Sequence, residues 1–106
     1  MKKILFATVC MMLTASVFAQ VQFQTGNKLK QKCDGGVGDE LFCVGYVTGI
    51  ADAHAMSICT PKEVTQGQNM NIVKKYLNDN PAQLHRDADV LVLTALQQAF
   101  PCPKKK

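Results

Sequence analysis

The feature that most constrains the fold is a set of four cysteines that lie beyond an N-terminal export segment. They are Cys33, Cys43, Cys59 and Cys102. In an exported small protein, an even number of cysteines indicates a disulfide framework. Cleavage after Ala19 leaves 87 of the 106 residues, which is near the lower size at which a hydrophobic core alone stabilises a domain. We therefore expect structural disulfides.

Residues 1–19 have the three regions of a cleaved signal peptide. Lys2 and Lys3 supply the positive charge, residues 4–15 form the apolar region, and Val-Phe-Ala at 17–19 is a small-residue cleavage signal. Cys10 lies in the apolar region, so we expect it to be removed with the peptide.

Residues 20–106 are predicted to form a single helical domain that is exported to an oxidising compartment. The longest apolar region, residues 41–58, is interrupted by Thr48, Asp52 and His54, so we predict no contact with the membrane after cleavage. Without the signal peptide the chain has ten basic and eight acidic residues, and three of the basic ones are the consecutive lysines 104–106. The rest is about neutral, which argues against a nucleic-acid partner, because such surfaces need clustered basic residues.

The hydrophobic pattern predicts an all-α fold, a small four-helix up-down bundle stapled by two disulfides. The first helix is predicted from residues 25–27 to Cys33 and the second from Asp39 to about Met56. A third helix is predicted to begin after two successive capping signals, at 60–63 and 65–68. Its predicted buried residues are Met70, Val73 and Leu77. A fourth begins at Pro81, capped by Asn80, and ends at Phe100.

The second predicted helix carries two different rows of residues. A core-facing row is Leu41, Val44, Val47 or Thr48, and Ala51. A second row, Gly45, Gly49 and Ala53, has almost no side chain. Because each glycine costs roughly 1 kcal/mol relative to alanine inside a helix, we expect close packing there as compensation. That packing is either inside the bundle or across a homodimer.

Bundle geometry selects one of the three possible cysteine pairings. In an up-down bundle Cys33 and Cys43 lie at one end, and Cys59 and Cys102 at the other. Predicted helices of about 18 residues span about 27 Å, whereas a disulfide tolerates about 7 Å between α-carbons. We therefore predict the pairs Cys33–Cys43 and Cys59–Cys102, worth very roughly 3 and 4 kcal/mol on the chain-entropy model.

The sequence offers no catalytic constellation. His54 and His85 lie on different predicted helices, each two residues from an aspartate, and residues two apart on a helix point to different sides. The same spacing separates Asp87 from Asp89. The cysteines have neither redox nor zinc spacing, and Ser57 lacks a nucleophile-elbow motif. We predict that the protein is not an enzyme and has no metal site and no cofactor.

Polar, mostly uncharged residues form the predicted partner-binding surface. Their amides both donate and accept hydrogen bonds, although an ordinary soluble helix start is the simpler explanation of Gln66, Gln68, Asn69 and Asn71. The predicted residues are Thr60, Lys62, Gln66, Gln68, Asn69, Asn71, Asn78, Asp79 and His85.

Short motifs follow one another in a fixed order along almost the whole mature chain. They are Gly26–Leu29 leading to Cys33, Cys43–Ala53, Cys59-Thr60-Pro61, Gln68, Tyr76–Pro81, His85 and Ala95–Cys102. In order and spacing they resemble the Rap/Tai family of periplasmic immunity proteins, which neutralise peptidoglycan amidases delivered by type VI secretion systems. The resemblance implies an all-helical, disulfide-stabilised and often dimeric protein that blocks the active-site cleft of a secreted peptidoglycan amidase effector.

Two other hypotheses remain open at this point. Export, disulfides and the lack of catalytic residues support a binding protein in general, because a shared fold does not establish a shared role. The main alternative is a small periplasmic acid-stress chaperone, which would expose apolar surface near a pH of about 2 to 3 as its carboxylates are protonated. The third is a helical lipid-binding module.

Overall fold

The structure, a computed structural model, describes residues 24–104 and contains four α-helices. They are α1 (Gly26–Cys33), α2 (Val37–Ala53), α3 (Gln66–Asp79) and α4 (Ala88–Ala99), with one 3-10 turn at Pro81–Gln83. Between residues 24 and 104 there is no strand, only an isolated bridge between Thr25 and Asp87. The all-α prediction is confirmed, and the predicted signal peptide lies outside the described residues. No described helix is long and apolar enough to cross a membrane.

Two of the helices, α1 and α3, begin at side chains that cap them, whereas no side-chain hydrogen bond caps the start of α2 or α4. The hydroxyl of Thr25 accepts a hydrogen bond from the amide of Lys28 at 3.3 Å, at the start of α1. At α3, the hydroxyl of Thr65 accepts from the amide of Gln68 at 3.1 Å, and the Gln68 side chain accepts from the amide of Thr65 at 2.7 Å. Of the two predicted starts of this helix, the second is therefore the real one. The first, at Thr60, is followed only by a turn.

The four helices pack so that each contacts the other three. Fully buried side chains come from every helix: Leu29, Cys43, Val47, Val73, Leu77, Leu91, Val92 and Leu96. The predicted stripe of α3 is buried as expected. In α2 the prediction for Leu41 is wrong, because its side chain is 68% exposed. Val47 faces the core as predicted, together with Cys43, and Leu41, two residues before Cys43, lies on the opposite side of the helix.

The predicted start of the fourth helix at Pro81 is wrong. The chain makes one 3-10 turn there, and α4 begins seven residues later, after Asp87. The reason is the beginning of α1, whose amides at Gly26 and Asn27 donate to the carbonyl oxygens of Arg86 and Leu84 at 2.9 and 2.8 Å. Those carbonyls therefore satisfy another helix instead of continuing their own.

Both predicted disulfides are present. Cys33 and Cys43 join the end of α1 to the second turn of α2, and Cys59 and Cys102 join the segments that follow α2 and α4. The α-carbons are 5.0 Å apart in each pair. α4 has only 12 residues, so it is shorter than predicted, but its end still lies beside the segment that follows α2.

The glycine row of α2 does not pack inside the bundle. Gly45, Gly49 and Ala53 are exposed, and a Cβ atom added at either glycine would meet nothing within 4 Å. The prediction of close internal packing is wrong, because the disulfide at Cys43 turns the other side of α2 inward. The homodimer alternative remains a prediction.

Candidate partner-binding surfaces

The predicted binding residues lie at the two ends of α3 and do not form one patch. The helix has 14 residues, so its ends are about 20 Å apart. Six of them surround its beginning, and we call these the N-terminal cluster: Thr60, Lys62, Gln66, Gln68, Asn69 and Asn71. The other three lie at or beyond its end and form the C-terminal cluster: Asn78 and Asp79, which are its last two residues, and His85.

Most of the N-terminal cluster is exposed and available for contacts. Thr60, Lys62, Gln66 and Asn71 are exposed, whereas the Gln68 side chain is held in the capping box. Asn69 is partly buried, and its Oδ1 atom is enclosed without a hydrogen-bond partner among the described residues. These side chains combine donors and acceptors with a single charge, that of Lys62.

The C-terminal cluster is partly engaged within the protein. Asp79 forms an ion pair with Lys75 at 2.6 Å, and both side chains are more than half exposed, so this pair adds little stability. Asn78 and His85 are exposed. Asn80 lies between them and donates to the carbonyl oxygen of Tyr76 at 2.8 Å, which fixes the turn that follows α3.

A cavity of about 230 Å³ connects the N-terminal cluster to the end of α2. We call it the Asn69 cavity, and it is lined by Ala51, Asp52, Ala55, Ile58, Thr60 and Asn69. Two of the predicted binding residues therefore belong to one concave site. The apolar lining comes from α2 and the segment after it, and the polar lining comes from three different parts of the chain.

The segment between α2 and α3 is a second candidate, which we call the 54–65 loop. Met56 near its start is 98% exposed. The loop is anchored by the Cys59–Cys102 disulfide and by the amide of Cys59, which donates to the carbonyl oxygen of Phe100 at 3.1 Å. Sequence reasoning missed Met56 because it placed this residue at the end of the second helix, whereas α2 ends at Ala53.

α2 presents an apolar outer face, which we call the α2 face. Val37, Leu41 and Phe42 are 78%, 68% and 44% exposed, and the adjoining Gly45 and Gly49 leave the surface flat. The sequence signal for this face is that apolar residues occur on every side of the helix, which is typical of a helix that is covered all round.

Tyr46 lines a depression of about 350 Å³ together with Gln24, Ile50, Asp87 and Asp89. Burial raises the pKa of the Tyr46 phenol, and the negative charges of Asp89 and Asp87 raise this pKa further. The ring of Phe42 stacks on that of Tyr46 with centroids 6.0 Å apart. Both aspartates line this depression, and Asp87 precedes the first residue of α4, so it does not follow helical geometry.

The two histidines lie in turns that follow or precede helices. His54 follows the last residue of α2, and its amide donates to the carbonyl oxygen of Ile50 at 3.1 Å. His85 lies exposed in the turn before α4. Within residues 24–104, no three histidine, cysteine or acidic side chains are grouped closely enough to hold a metal ion.

The chain matches a known protein family. The family model of the Rap1a immunity proteins matches residues 25–102. The chain belongs to this family. The matched range begins at Thr25, which caps α1, ends at Cys102 of the second disulfide, and includes both clusters. A comparison with curated proteins finds no match.

Membership implies an immunity protein for a cognate effector of a type VI secretion system, and it suggests the role of an inhibitor. Proteins of this family are typically periplasmic. The candidate surfaces are therefore best considered as surfaces for another protein.

Proposed function

We propose that this protein is a periplasmic immunity protein that binds a peptidoglycan amidase delivered by a type VI secretion system and blocks its active-site cleft. The observation that carries this proposal is the family match over residues 25–102. The two disulfides, one at each end of the bundle, suit a rigid inhibitor, because a preorganised surface loses less conformational entropy on binding.

We place the amidase contact on the N-terminal cluster and the 54–65 loop. The loop is held at Cys59, so its binding conformation requires little further ordering. Met56 offers a flexible apolar side chain that adapts to the shape of a partner. Exposed amides and hydroxyls around it supply directional hydrogen bonds, which favour one partner over another.

Co-expression tests the proposal. The mature protein is produced in the periplasm together with each amidase encoded beside its gene, and we expect it to prevent lysis by one of them. Purified protein should also bind that amidase and inhibit its cleavage of peptidoglycan. If no neighbouring amidase is bound or neutralised, the proposal is wrong.

Two matched variants test the placement of the surface. Met56→Glu with Asn71→Glu should weaken binding at least roughly tenfold, because both changes introduce charge at the proposed contact. Asn78→Glu with His85→Glu adds the same charges at the other end of α3 and should have little effect. If only the second variant loses binding, the cleft is blocked by the C-terminal cluster and our placement is wrong.

We also propose that a second copy of this chain covers the α2 face in a homodimer. The glycine row has no neighbour inside the bundle, so a helix of a second copy can approach it closely. Leu41 and Phe42 would supply apolar area beside the flat row. Light scattering should give a dimer mass, and Leu41→Glu should give a monomer, whereas Gln98→Glu on α4 should not. A monomeric mass for the unmodified protein would contradict this proposal.

The α2 face also bears on the chaperone hypothesis. Exposed Val37, Leu41 and Phe42 are the kind of apolar surface that binds unfolded clients. A light-scattering assay of client aggregation in acid distinguishes the two functions. We expect that the protein does not suppress aggregation of the client. If it does, and if Leu41→Glu abolishes this suppression, the chaperone function is favoured.

A further inference from the structure

The Asn69 cavity has a lining that suits one long cationic side chain. Its volume is about 230 Å³. One part of the lining is apolar and comes from Ala51, Ala55 and Ile58, of which Ile58 belongs to the buried core. The other part is polar and offers the oxygen atoms of Asp52, Thr60 and Asn69. A ligand with an aliphatic stem and a polar end matches both parts.

Asn69 contributes an acceptor that the protein itself does not satisfy. Its Oδ1 atom is enclosed, and none of the described residues donates a hydrogen bond to it. An enclosed acceptor without a donor destabilises a protein, and native structures contain few of them. Because Asn69 lines the cavity, rotation of its amide about the Cβ–Cγ bond is a small movement through which a ligand can supply the missing donor.

Asp52 gives the cavity a negative charge. Its side chain is exposed, and none of the three ion pairs described between residues 24 and 104 includes it. Thr60 adds a hydroxyl oxygen that also accepts hydrogen bonds. Three acceptors on three different segments, one of them charged, favour a ligand that has several donors and a positive charge.

We propose that the Asn69 cavity binds the guanidinium group of an arginine side chain of the effector. The guanidinium donates to the Asp52 carboxylate, the Thr60 hydroxyl and the Asn69 amide oxygen. Five N–H groups in a plane can reach acceptors in different directions, whereas a lysine presents three donors from one nitrogen atom. The arginine stem packs on the apolar lining. The identity of the partner rests on the proposed function, but the chemistry of the cavity does not.

A titration that needs no effector tests the cavity. The ¹⁵N-labelled protein is titrated with Nα-acetyl-arginine amide, and separately with the citrulline amide, which has the same shape without the charge. We expect saturable amide shifts confined to residues 51–60 and 69 with the arginine compound only. Equal shifts with both compounds, or shifts centred on the Tyr46 depression, would overturn the proposal.

Variants separate the contribution of each acceptor. Asp52→Asn should weaken binding of the arginine compound roughly tenfold, because a charge-assisted hydrogen bond becomes a neutral one. Glu40→Gln removes an exposed carboxylate at the other end of α2 and should leave binding unchanged. Asn69→Leu should abolish binding while the thermal midpoint stays equal or rises, since it removes the enclosed acceptor. Loss of binding in Glu40→Gln as well would mean that the shifts report only net charge, and the proposal would fail.

The effector assay then distinguishes this inference from the proposed function. If the arginine compound binds but no amidase is neutralised, the proposed function fails and the cavity remains a guanidinium site. If Asp52→Asn loses the arginine compound yet binds the amidase as tightly as the unmodified protein, the amidase does not use the cavity and this inference is wrong.

Discussion

The amide of Cys59 donates a hydrogen bond to the carbonyl oxygen of Phe100 at 3.1 Å, two residues before the cysteine to which Cys59 is bonded. The chain after α2 is therefore attached to the end of α4 twice, once covalently and once through the backbone. A further contact of 3.5 Å, from the Gln97 side chain to the carbonyl oxygen of Ser57, lies beside them. Together they fix the middle of the 54–65 loop against the bundle.

The two disulfides should be reduced in a definite order. Cys33 and Cys43 are 2% and 0% exposed, whereas Cys59 is exposed, and a reductant must reach a sulfur atom to attack it. We expect a mild thiol to open the bond between Cys59 and its partner first. Alkylation followed by peptide mass mapping at successive times measures the order, and early labelling of Cys33 would contradict it.

The buried Cys33–Cys43 disulfide should contribute at least as much to the free energy of unfolding as the Cys59–Cys102 disulfide, although it closes the shorter loop. The chain-entropy argument assigns the shorter Cys33–Cys43 loop about 3 kcal/mol and the longer Cys59–Cys102 loop about 4 kcal/mol. Alanine at the first pair, however, also leaves a cavity in the core. We therefore expect Cys33→Ala with Cys43→Ala to lower the free energy of unfolding at least as much as the other double variant. Urea denaturation measures both, and a clearly smaller loss for the buried pair would contradict this expectation.

Thr65 and Thr60 begin two similar sequence signals, but only Thr65 caps a helix. Thr65→Ala removes the side chain that accepts from the Gln68 amide and should cost about 1 kcal/mol in the free energy of unfolding. Thr60→Ala changes a similar sequence signal that caps no helix, so its effect on stability should be close to zero. Thermal unfolding of the two variants in parallel checks this difference, and equal losses would show that the first signal also stabilises the fold.

Local signals in the sequence predicted what local chemistry determines. The hydroxyls of Thr25 and Thr65 cap helices by accepting hydrogen bonds from backbone amides three residues later, and cysteine pairing follows from the order of the helices. The predicted start of α4 at Pro81 is wrong because the carbonyl oxygens of Leu84 and Arg86 accept hydrogen bonds from the distant beginning of α1. No property of residues 81–87 alone reveals that partner.

The candidate surfaces were predictable only in part. Polar residues such as Thr60 and Asn69 were recognised by their chemistry, but the cavity that unites them also needs Asp52 from α2. Met56 was missed because its exposure depends on where α2 ends. Leu41 was assigned to the core because an apolar residue at helical spacing is usually buried. The burial of Cys43 and Val47 shows which side of α2 faces inward.

Two glycines should respond in opposite directions to alanine. A Cβ atom at Gly26 would lie 2.9 Å from the carbonyl oxygen of Leu84 and against the side chain of Leu91, so Gly26→Ala should cost about 1–3 kcal/mol. At Gly49 the added Cβ atom meets nothing, and Gly49→Ala should raise the free energy of unfolding by about 0.5–1 kcal/mol. Denaturation at a concentration where the protein is monomeric keeps any effect on dimerisation out of the comparison. Stabilisation by Gly26→Ala would contradict the close approach of α1 to Leu84.

Tyr46 should make stability fall in alkaline solution. Burial and the charges of Asp89 and Asp87 raise the pKa of its phenol in the folded protein, whereas in the unfolded chain a tyrosine ionises near its ordinary value of about 10. Below a pH of about 10 both states keep the phenol proton, so the contribution of Tyr46 to the free energy of unfolding is fully present. Above it the unfolded chain loses its proton first, so stability falls as the pH rises through the pKa of the folded state. Tyr46→Phe should therefore lose less stability than the unmodified protein when urea denaturation is repeated above this pH.

Phenolate absorbance in a Tyr76→Phe background follows Tyr46 alone, since these are the two tyrosines of the chain. Asp89→Asn should bring this pKa back toward its ordinary value, whereas Asp79→Asn should not. An equal loss of stability in Tyr46→Phe would show that the phenol does not contribute.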